Sequence, residues 1–213
     1  MEPLDPVEVR VLGALLEKES TTPEYYPLTL NALVNACNQK SSREPVVDYD
    51  EAAVAEALSR LRHKGLALKV SGAGHRVEKY AHSLGEKLNL GRRESALLQV
   101  LMLRGPQTVG ELRGRTERVY EFAELEEVET CLEALAAREL APLVGRLPRG
   151  RWCHLLGDPP DLVLGGPPDH TDPAAAASSP TRAGSDLEAR VDALEREVAE
   201  LKQTLASFRR QFE

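Results

Sequence analysis

One order of elements occurs twice in this chain and constrains the fold more than any other feature. In each copy, three amphipathic helices precede two short segments in which apolar and polar residues alternate. Apolar positions of the third helix and the first strand recur 74 residues apart, with Val54, Leu58, Leu61 and Leu66 corresponding to Val128, Leu132, Leu135 and Leu140. Three helices followed by a β-hairpin is the order of a winged-helix domain. The sequence therefore predicts a mainly α fold with small β-hairpins (α+β), built from two tandem winged-helix domains at residues 1–82 and 83–157.

Capping residues indicate where several helices begin. Asp5-Pro6-Val7-Glu8 combines an N-cap acceptor, a proline in the first turn and a glutamate that reaches back to the cap. The second helix is expected to begin near Thr29, after a polar connection. The third is expected to be capped by Asp48, with Glu51 three residues further on. In the second copy, Thr108-Val-Gly-Glu111 is a capping box that opens the corresponding helix.

Segments with a period of two indicate the strands of both hairpins. They are predicted at Leu66–Val70 and Arg76–Ala81 around Gly72-Ala73-Gly74, and at Leu143–Val144 and Trp152–Leu156 around Pro148-Arg149-Gly150.

The C-terminal quarter has a different composition. Residues 158–184 are rich in Pro, Gly, Ala and Ser and lack any apolar period, which predicts a flexible linker. Residues 185–213 predict a coiled-coil helix, because their apolar residues follow an unbroken heptad spacing: Leu187, Val191, Leu194, Val198, Leu201, Leu205, Phe208 and Phe212. Valine at position a with leucine at position d favours a parallel homodimer. The alternative is a single amphipathic helix that folds back on the body.

Charge and cysteine usage limit the class of protein. The net charge is −7, of which residues 158–213 account for −5, so the predicted domains are close to neutral. The three cysteines lie far apart, which is typical of a reducing cytoplasm rather than of a disulfide framework. No apolar run approaches the roughly 20 residues of a membrane helix, and the N-terminus lacks the basic start of a signal peptide. We therefore expect a cytoplasmic protein.

Two segments carry a resemblance to a known family. The first is Thr21-Thr-Pro-Glu-Tyr-Tyr-Pro-Leu-Thr-Leu-Asn-Ala-Leu-Val-Asn-Ala-Cys-Asn-Gln-Lys40. The second is Leu103-Arg-Gly-Pro-Gln-Thr-Val-Gly-Glu-Leu-Arg113, followed by Arg118, Tyr120-Glu-Phe122 and Val128-Glu129. Over roughly residues 4–157 the chain resembles the YceH-like family of bacterial cytoplasmic proteins. The resemblance implies two winged-helix domains, a heptad tail and no established biochemical function.

Catalysis is not expected from the motifs of this sequence. The five histidines show no HxH or HExxH spacing, and no Gly-rich phosphate loop, GxSxG motif or paired cysteines occur. We therefore expect a non-enzymatic protein without a metal or other cofactor.

Duplex DNA is the partner that a winged-helix fold suggests, through the third helix and the hairpin. The candidate residues, chiefly of the first domain and of both hairpins, are Lys40, Arg43, Arg60, Arg62, Lys64, Lys69, Arg76, Lys79, Arg146, Arg149 and Arg151. Both third helices carry acidic residues that repel phosphate, and solvated surface charge is the alternative role for the cations.

A protein-interaction adaptor is the second candidate function. The acidic third helix of the second copy, with Glu126, Glu129 and Glu133, suits a basic protein partner. The polar segment Asn35–Lys40 either caps the end of the second helix or contributes to a partner site. The two functions differ in which surface a substitution would disable.

Overall fold

A computed structural model of the chain describes residues 2–70, 77–139 and 141–157. The first repeat consists of α1 (Pro6–Thr21), a 3-10 turn (Pro23–Tyr25), β1 (Leu28–Thr29), α2 (Leu30–Cys37), α3 (Glu51–His63), β2 (Ala67–Val70) and β3 (Lys79–His82). The short helix α4 (Leu84–Leu88) connects it to the second repeat. The second repeat consists of α5 (Arg92–Arg104), β4 (Gln107–Thr108), α6 (Val109–Thr116), α7 (Leu125–Ala136), β5 (Val144–Leu147) and β6 (Arg151–His154).

Each repeat closes on a small antiparallel sheet. The strand orders are β1-β3-β2 and β4-β6-β5, so in both repeats the strand before the second helix pairs with the last strand. Leu28 lies opposite Tyr80 in one sheet, and Gln107 lies opposite Trp152 in the other. The predicted mixed α+β architecture is confirmed. Strands β1 and β4 were not predicted, because two residues are too few to establish a period.

Most of the predicted helix caps are confirmed, and one is wrong. Asp5 with Glu8, and Thr108 with Glu111, form complete capping boxes. Thr29 caps α2 through the amide of Ala32. The cap of α3 is Asp50 rather than Asp48, because the Asp50 carboxylate accepts from the Ala53 amide at 2.7 Å. The sequence offered two aspartates, and the one adjacent to the first helical residue is used.

Several predicted boundaries shift by a few residues. Helix α1 continues through the polar residues to Thr21, whose hydroxyl donates to the carbonyl of Glu17. The second hairpin pairs Val144–Leu147 with Arg151–His154, through residues that show no alternation of polarity. Backbone hydrogen bonds set these ends, and side-chain patterns report them only indirectly. The Gly72-Ala73-Gly74 turn, the 158–184 linker and the 185–213 coiled coil lie outside the described residues.

The two repeats share one hydrophobic core. Buried residues from every helix of both repeats belong to a single cluster, and α1 makes its most extensive contact with α5. The helices approach closely at Gly13, where an added Cβ would lie 3.0 Å from Cδ2 of Leu103 and 3.2 Å from Cβ of Met102. The residues before α1 also contact the end of the second repeat, since the Leu4 amide donates to the Leu156 carbonyl at 2.8 Å.

We predict that Gly13→Leu lowers the free energy of unfolding by about 3 kcal/mol, because the new side chain overpacks the contact between α1 and α5. Gly114→Leu is the matched control, since no heavy atom lies within 4 Å of a Cβ built at Gly114, on exposed α6 surface. In that control the free energy of unfolding should rise by about 0.5–1 kcal/mol, because leucine has a higher helix propensity than glycine. Urea unfolding of both variants measures the difference, and equal stabilities would contradict the close approach.

Candidate nucleic-acid interface

The C-terminal part of α3 and the first hairpin form one charged surface. Arg62 is exposed, and Lys69 pairs with the carboxylate of Glu78. The Tyr80 hydroxyl donates to the other oxygen of Glu78 at 2.8 Å. These hydrogen bonds from Lys69 and Tyr80, together with the charges of Lys69 and Arg62, lower the pKa of Glu78. An ionised carboxylate therefore lies among the cations of this surface.

Arg60 of α3 and Lys64, the residue that follows its last turn, both contact the start of α1, while the Arg60 side chain stays 37% exposed. Glu8 is 1% exposed, and its Oε2 accepts from Lys64 Nζ at 2.8 Å. Arg60 donates to Asp5 at 2.6 Å, and its Nε lies 3.5 Å from Oε1 of Glu8. A buried carboxylate requires such partners, so these two cations hold α3 against α1.

Arg43 has a buried guanidinium. Its side chain is fully buried and donates to both carboxylate oxygens of Glu17, at 3.0 and 2.5 Å. It also donates to the carbonyl of Ala36 at 2.9 Å and to Gln39 at 3.0 Å. The guanidinium thus fixes the segment after α2 to the end of α1, and it presents no free face to a phosphate.

The other candidate cations of the first repeat have different surroundings. Lys40 is exposed, and Lys79 is half-buried in β3 opposite Thr29 and Val70. Arg76 lies outside the described residues. Of the residues proposed in this repeat, the structure brings Arg62 and Lys69 together, and it directs Arg43, Arg60 and Lys64 to intramolecular partners.

The second hairpin carries three arginines, and two of them have intramolecular contacts. Arg146 lies over the ring of Trp152, 5.7 Å from its centroid, and 3.7 Å from Glu129. Arg151 donates to the carbonyl of Pro106 at 2.8 Å. Arg149 is exposed in the turn with a φ of 62°. All three side chains are exposed to solvent.

Helix α7 presents an acidic surface. Glu126 and Glu133 are exposed, whereas Glu129 is half-buried beside Arg146. Leu125 begins the helix with 49% of its surface exposed. A cavity of about 470 Å³ lies beside α7, and its lining includes Glu94, Glu124, Glu126 and Glu127. These carboxylates make the exposed face of α7 unfavourable for a phosphate group.

A cationic groove lies where the two repeats meet, and sequence analysis did not single it out. We call it the inter-repeat groove, and its volume is about 420 Å³. Its lining includes Lys18, Ser42, Gln99, Arg104, Arg115 and Arg118. Arg104 donates to the hydroxyl of Ser42 at 2.7 Å. The arginines of 104–118 are visible in the sequence. Their proximity to the end of α1 depends on the packing of the repeats.

Other reactive groups in the described residues are buried or scattered. Within residues 2–70, 77–139 and 141–157, no three His, Cys, Asp or Glu side chains cluster as metal ligands. Burial raises the pKa of Cys37 to about 12 and that of Cys131 to about 11, and it lowers that of His154 to about 4. None of the helices in this part of the chain has the length and apolar character of a membrane span.

Comparisons with known proteins give consistent matches. A family model described as "Protein of unknown function, DUF480" matches residues 4–151. A UPF0502 protein of Solibacter usitatus is 53% identical over 216 residues, which cover 99% of this chain and 98% of the relative. A UPF0502 protein of Opitutus terrae is 59% identical over 160 residues, covering 72% of this chain and 70% of the relative. A third, of Geotalea uraniireducens, is 50% identical over 223 residues, covering 99% and 98%.

We predict that Lys64→Met destabilises the protein by about 3 kcal/mol, because it leaves the buried carboxylate of Glu8 without its closest cation. Arg62→Met is the matched control: Arg62 is exposed on the same helix, and its replacement should change stability by less than about 0.5 kcal/mol. Chemical denaturation measures the free energy of unfolding of both variants. Equal effects would show that the contact between Lys64 and Glu8 does not support the fold.

Proposed function

We propose a function for this chain, which belongs to the DUF480 family of bacterial proteins. The protein is a non-enzymatic, DNA-associated regulatory protein with two winged-helix domains. The family membership agrees with the YceH-like resemblance drawn from residues 21–40 and 103–129. The family's description assigns no activity, so the proposal depends on the architecture and the charged surfaces of this chain.

The observation that carries the proposal is the topology of the two repeats. Each has the order helix, strand, helix, helix, strand, strand, and in each the short first strand pairs with the last one. This order supports the winged-helix proposal, since in a winged helix the helix before the hairpin and the hairpin itself face DNA. Its occurrence twice in one chain supports a common ancestry of the two halves and a common type of ligand.

The charges support contact through phosphates rather than through base edges. Exposed Glu51 and Glu56 occupy the start of α3, and α7 is acidic along its exposed face. Insertion of either helix into a major groove would bring carboxylates towards phosphates. Among the candidate cations at the end of α3 and in the hairpins, the exposed ones are Arg62, Lys69, Arg146, Arg149 and Arg151. Phosphate contacts of this kind position a protein on a duplex without specifying sequence.

We predict that the full-length protein binds a labelled random-sequence duplex near micromolar concentration at roughly 50 mM salt and loses most of this binding at roughly 200 mM. Arg62→Ala should weaken the complex and lower its salt slope by about 1, as expected for one lost phosphate contact. Glu78→Gln should strengthen it, because the substitution releases Lys69 and removes a repulsive charge. Fluorescence anisotropy measures all three.

Arg92→Ala is the control for this experiment, since Arg92 is an exposed arginine at the first position of α5. It removes the same charge from another surface and should leave the salt slope unchanged. Absence of binding at the lower salt concentration would contradict the DNA proposal and favour the adaptor function. The adaptor function would then be tested by charge reversal at Glu126 and Glu133. Charge reversal at Glu129 is less suitable, because it would also disturb the ion pair with Arg146.

We also propose that residues 185–213 join two protomers in a parallel coiled coil. Leu194→Asp places a charge in the heptad seam and should convert the dimer to a monomer in sedimentation velocity. Ala193→Asp, one residue earlier and outside the seam, is the matched control and should remain a dimer. A dimer that persists in Leu194→Asp would exclude the coiled coil as the interface.

A further inference from the structure

We propose that the inter-repeat groove is a binding site for a small phosphorylated molecule. This site is separate from the DNA surface of Arg62, Lys69 and Arg149, and it does not depend on the proposed function. Its volume of about 420 Å³ lies within the range of small-molecule sites.

Residues from both repeats build the site. The end of α1 and the segment after α2 contribute Lys18 and Ser42, while α5 and the residues around the end of α6 contribute Gln99, Arg104, Arg115 and Arg118. The hydrogen bond from Arg104 to Ser42 joins the two sides. A ligand held here would therefore contact both repeats at once.

The charges of the lining are unbalanced. Four cationic side chains, Lys18, Arg104, Arg115 and Arg118, face one carboxylate, that of Glu17. Arg43 already occupies both oxygens of Glu17 through its bidentate pair. Arg115 lies 3.5 Å from Oε1 of Glu111, whose Oε2 accepts from the Thr108 amide in the capping box, so this carboxylate offsets part of the charge of Arg115. The groove thus concentrates positive charge in a chain whose net charge is −7.

Helix termini offset only part of this excess. Helices α1, α5 and α6 end near the groove, and each C-terminus carries about half a negative elementary charge. Together these partial charges are smaller than the excess of cations. The guanidinium groups also repel one another, since burial and the nearby charges of Arg115 and Arg43 lower the pKa of Arg104. A bound anion with two or more charges would relieve that repulsion.

The lining also contains a buried amide. Gln99 is 4% exposed and lines the groove, and its Oε1 is buried without a hydrogen-bond partner among the described residues. Such an amide is costly to leave unpaired, so a ligand that pairs with it would gain affinity. Because the oxygen itself is buried, a ligand hydroxyl or a protonated phosphate oxygen could donate to it only after the Gln99 side chain turns towards the groove.

A phosphate monoester or diphosphate suits the groove better than the backbone of DNA. Each phosphodiester carries one negative charge and belongs to a rigid duplex, whereas the cations here converge within a concave site between two repeats. Arginine forks bind the several oxygens of a terminal phosphate in bidentate fashion. DNA and a small phosphorylated molecule both present phosphate groups, so the experiment must distinguish binding of one from binding of the other.

Isothermal titration of the full-length protein with pyrophosphate, at constant ionic strength, tests the site. We expect saturable binding with one site per protomer, and weaker binding of inorganic phosphate. Arg118→Ala and Arg115→Ala should each weaken pyrophosphate binding about tenfold, as expected for loss of a charged hydrogen bond. Arg92→Ala removes an exposed arginine outside the groove and should bind as the unmodified protein does.

Several other outcomes decide for or against the proposal. Non-saturable binding, or an equal loss in Arg92→Ala, would indicate general attraction to positive charge instead of a site. A second outcome is that Arg115→Ala and Arg118→Ala weaken duplex DNA binding in the anisotropy assay and leave the affinity for pyrophosphate unchanged. In that case the groove belongs to the DNA-binding surface. Loss of DNA binding in Arg62→Ala with pyrophosphate affinity retained would keep the site and separate it from the DNA-binding function.

Discussion

The close packing of α1 against α5 determines how the two repeats are arranged. Gly13 allows the helices to approach, because a side chain at this position would collide with Leu103 and Met102. The shared core that results places the end of α1 beside the ends of α5 and α6. Surfaces that neither repeat possesses alone, above all the inter-repeat groove, follow from this contact. The backbone contact between Leu4 and Leu156 joins the repeats at a second place.

Buried charge explains why cations of α3 are not free to bind a ligand. Glu8 caps its own helix through the Asp5 amide, and the same carboxylate accepts from Lys64 on α3. Arg60 completes the cluster through Asp5. The Asp5 amide and Lys64 both donate to Oε2 of Glu8, whereas its Oε1 has only the ion pair with Arg60 Nε at 3.5 Å. The carboxylate therefore favours the orientation of α3 on α1 that keeps these partners within reach. We regard the cluster as a device for orientation more than for net stability, since buried ion pairs gain little over apolar packing.

Local signals in the sequence predicted the helix starts, because a cap and its amide partner lie within three residues. The capping boxes at Asp5 and Thr108 are examples. Pairings between distant residues could not be predicted in this way: Arg60 lies 55 residues from Asp5, and helical periodicity shows only that it is not in the apolar stripe. The same limit applies to the groove. Arg104 and Ser42 are 62 residues apart, so their proximity depends on tertiary packing. Short elements such as β1, β4 and α4 were missed because they contain too few residues for a pattern.

Two groups of cations in the described residues bear on phosphate binding. Arg62, Lys69 and Arg149 face outward on the end of α3 and the hairpins, whereas Arg104, Arg115 and Arg118 line a concave groove. Both sets attract phosphate, but an extended duplex needs an outward surface and a small ligand needs convergence. An anion bound in the groove would make the whole protein more negative and would oppose DNA binding within about one Debye length, roughly 8–10 Å. Because the repeats share a core, such an effect would act through the electrostatic field and would require no movement of one repeat against the other.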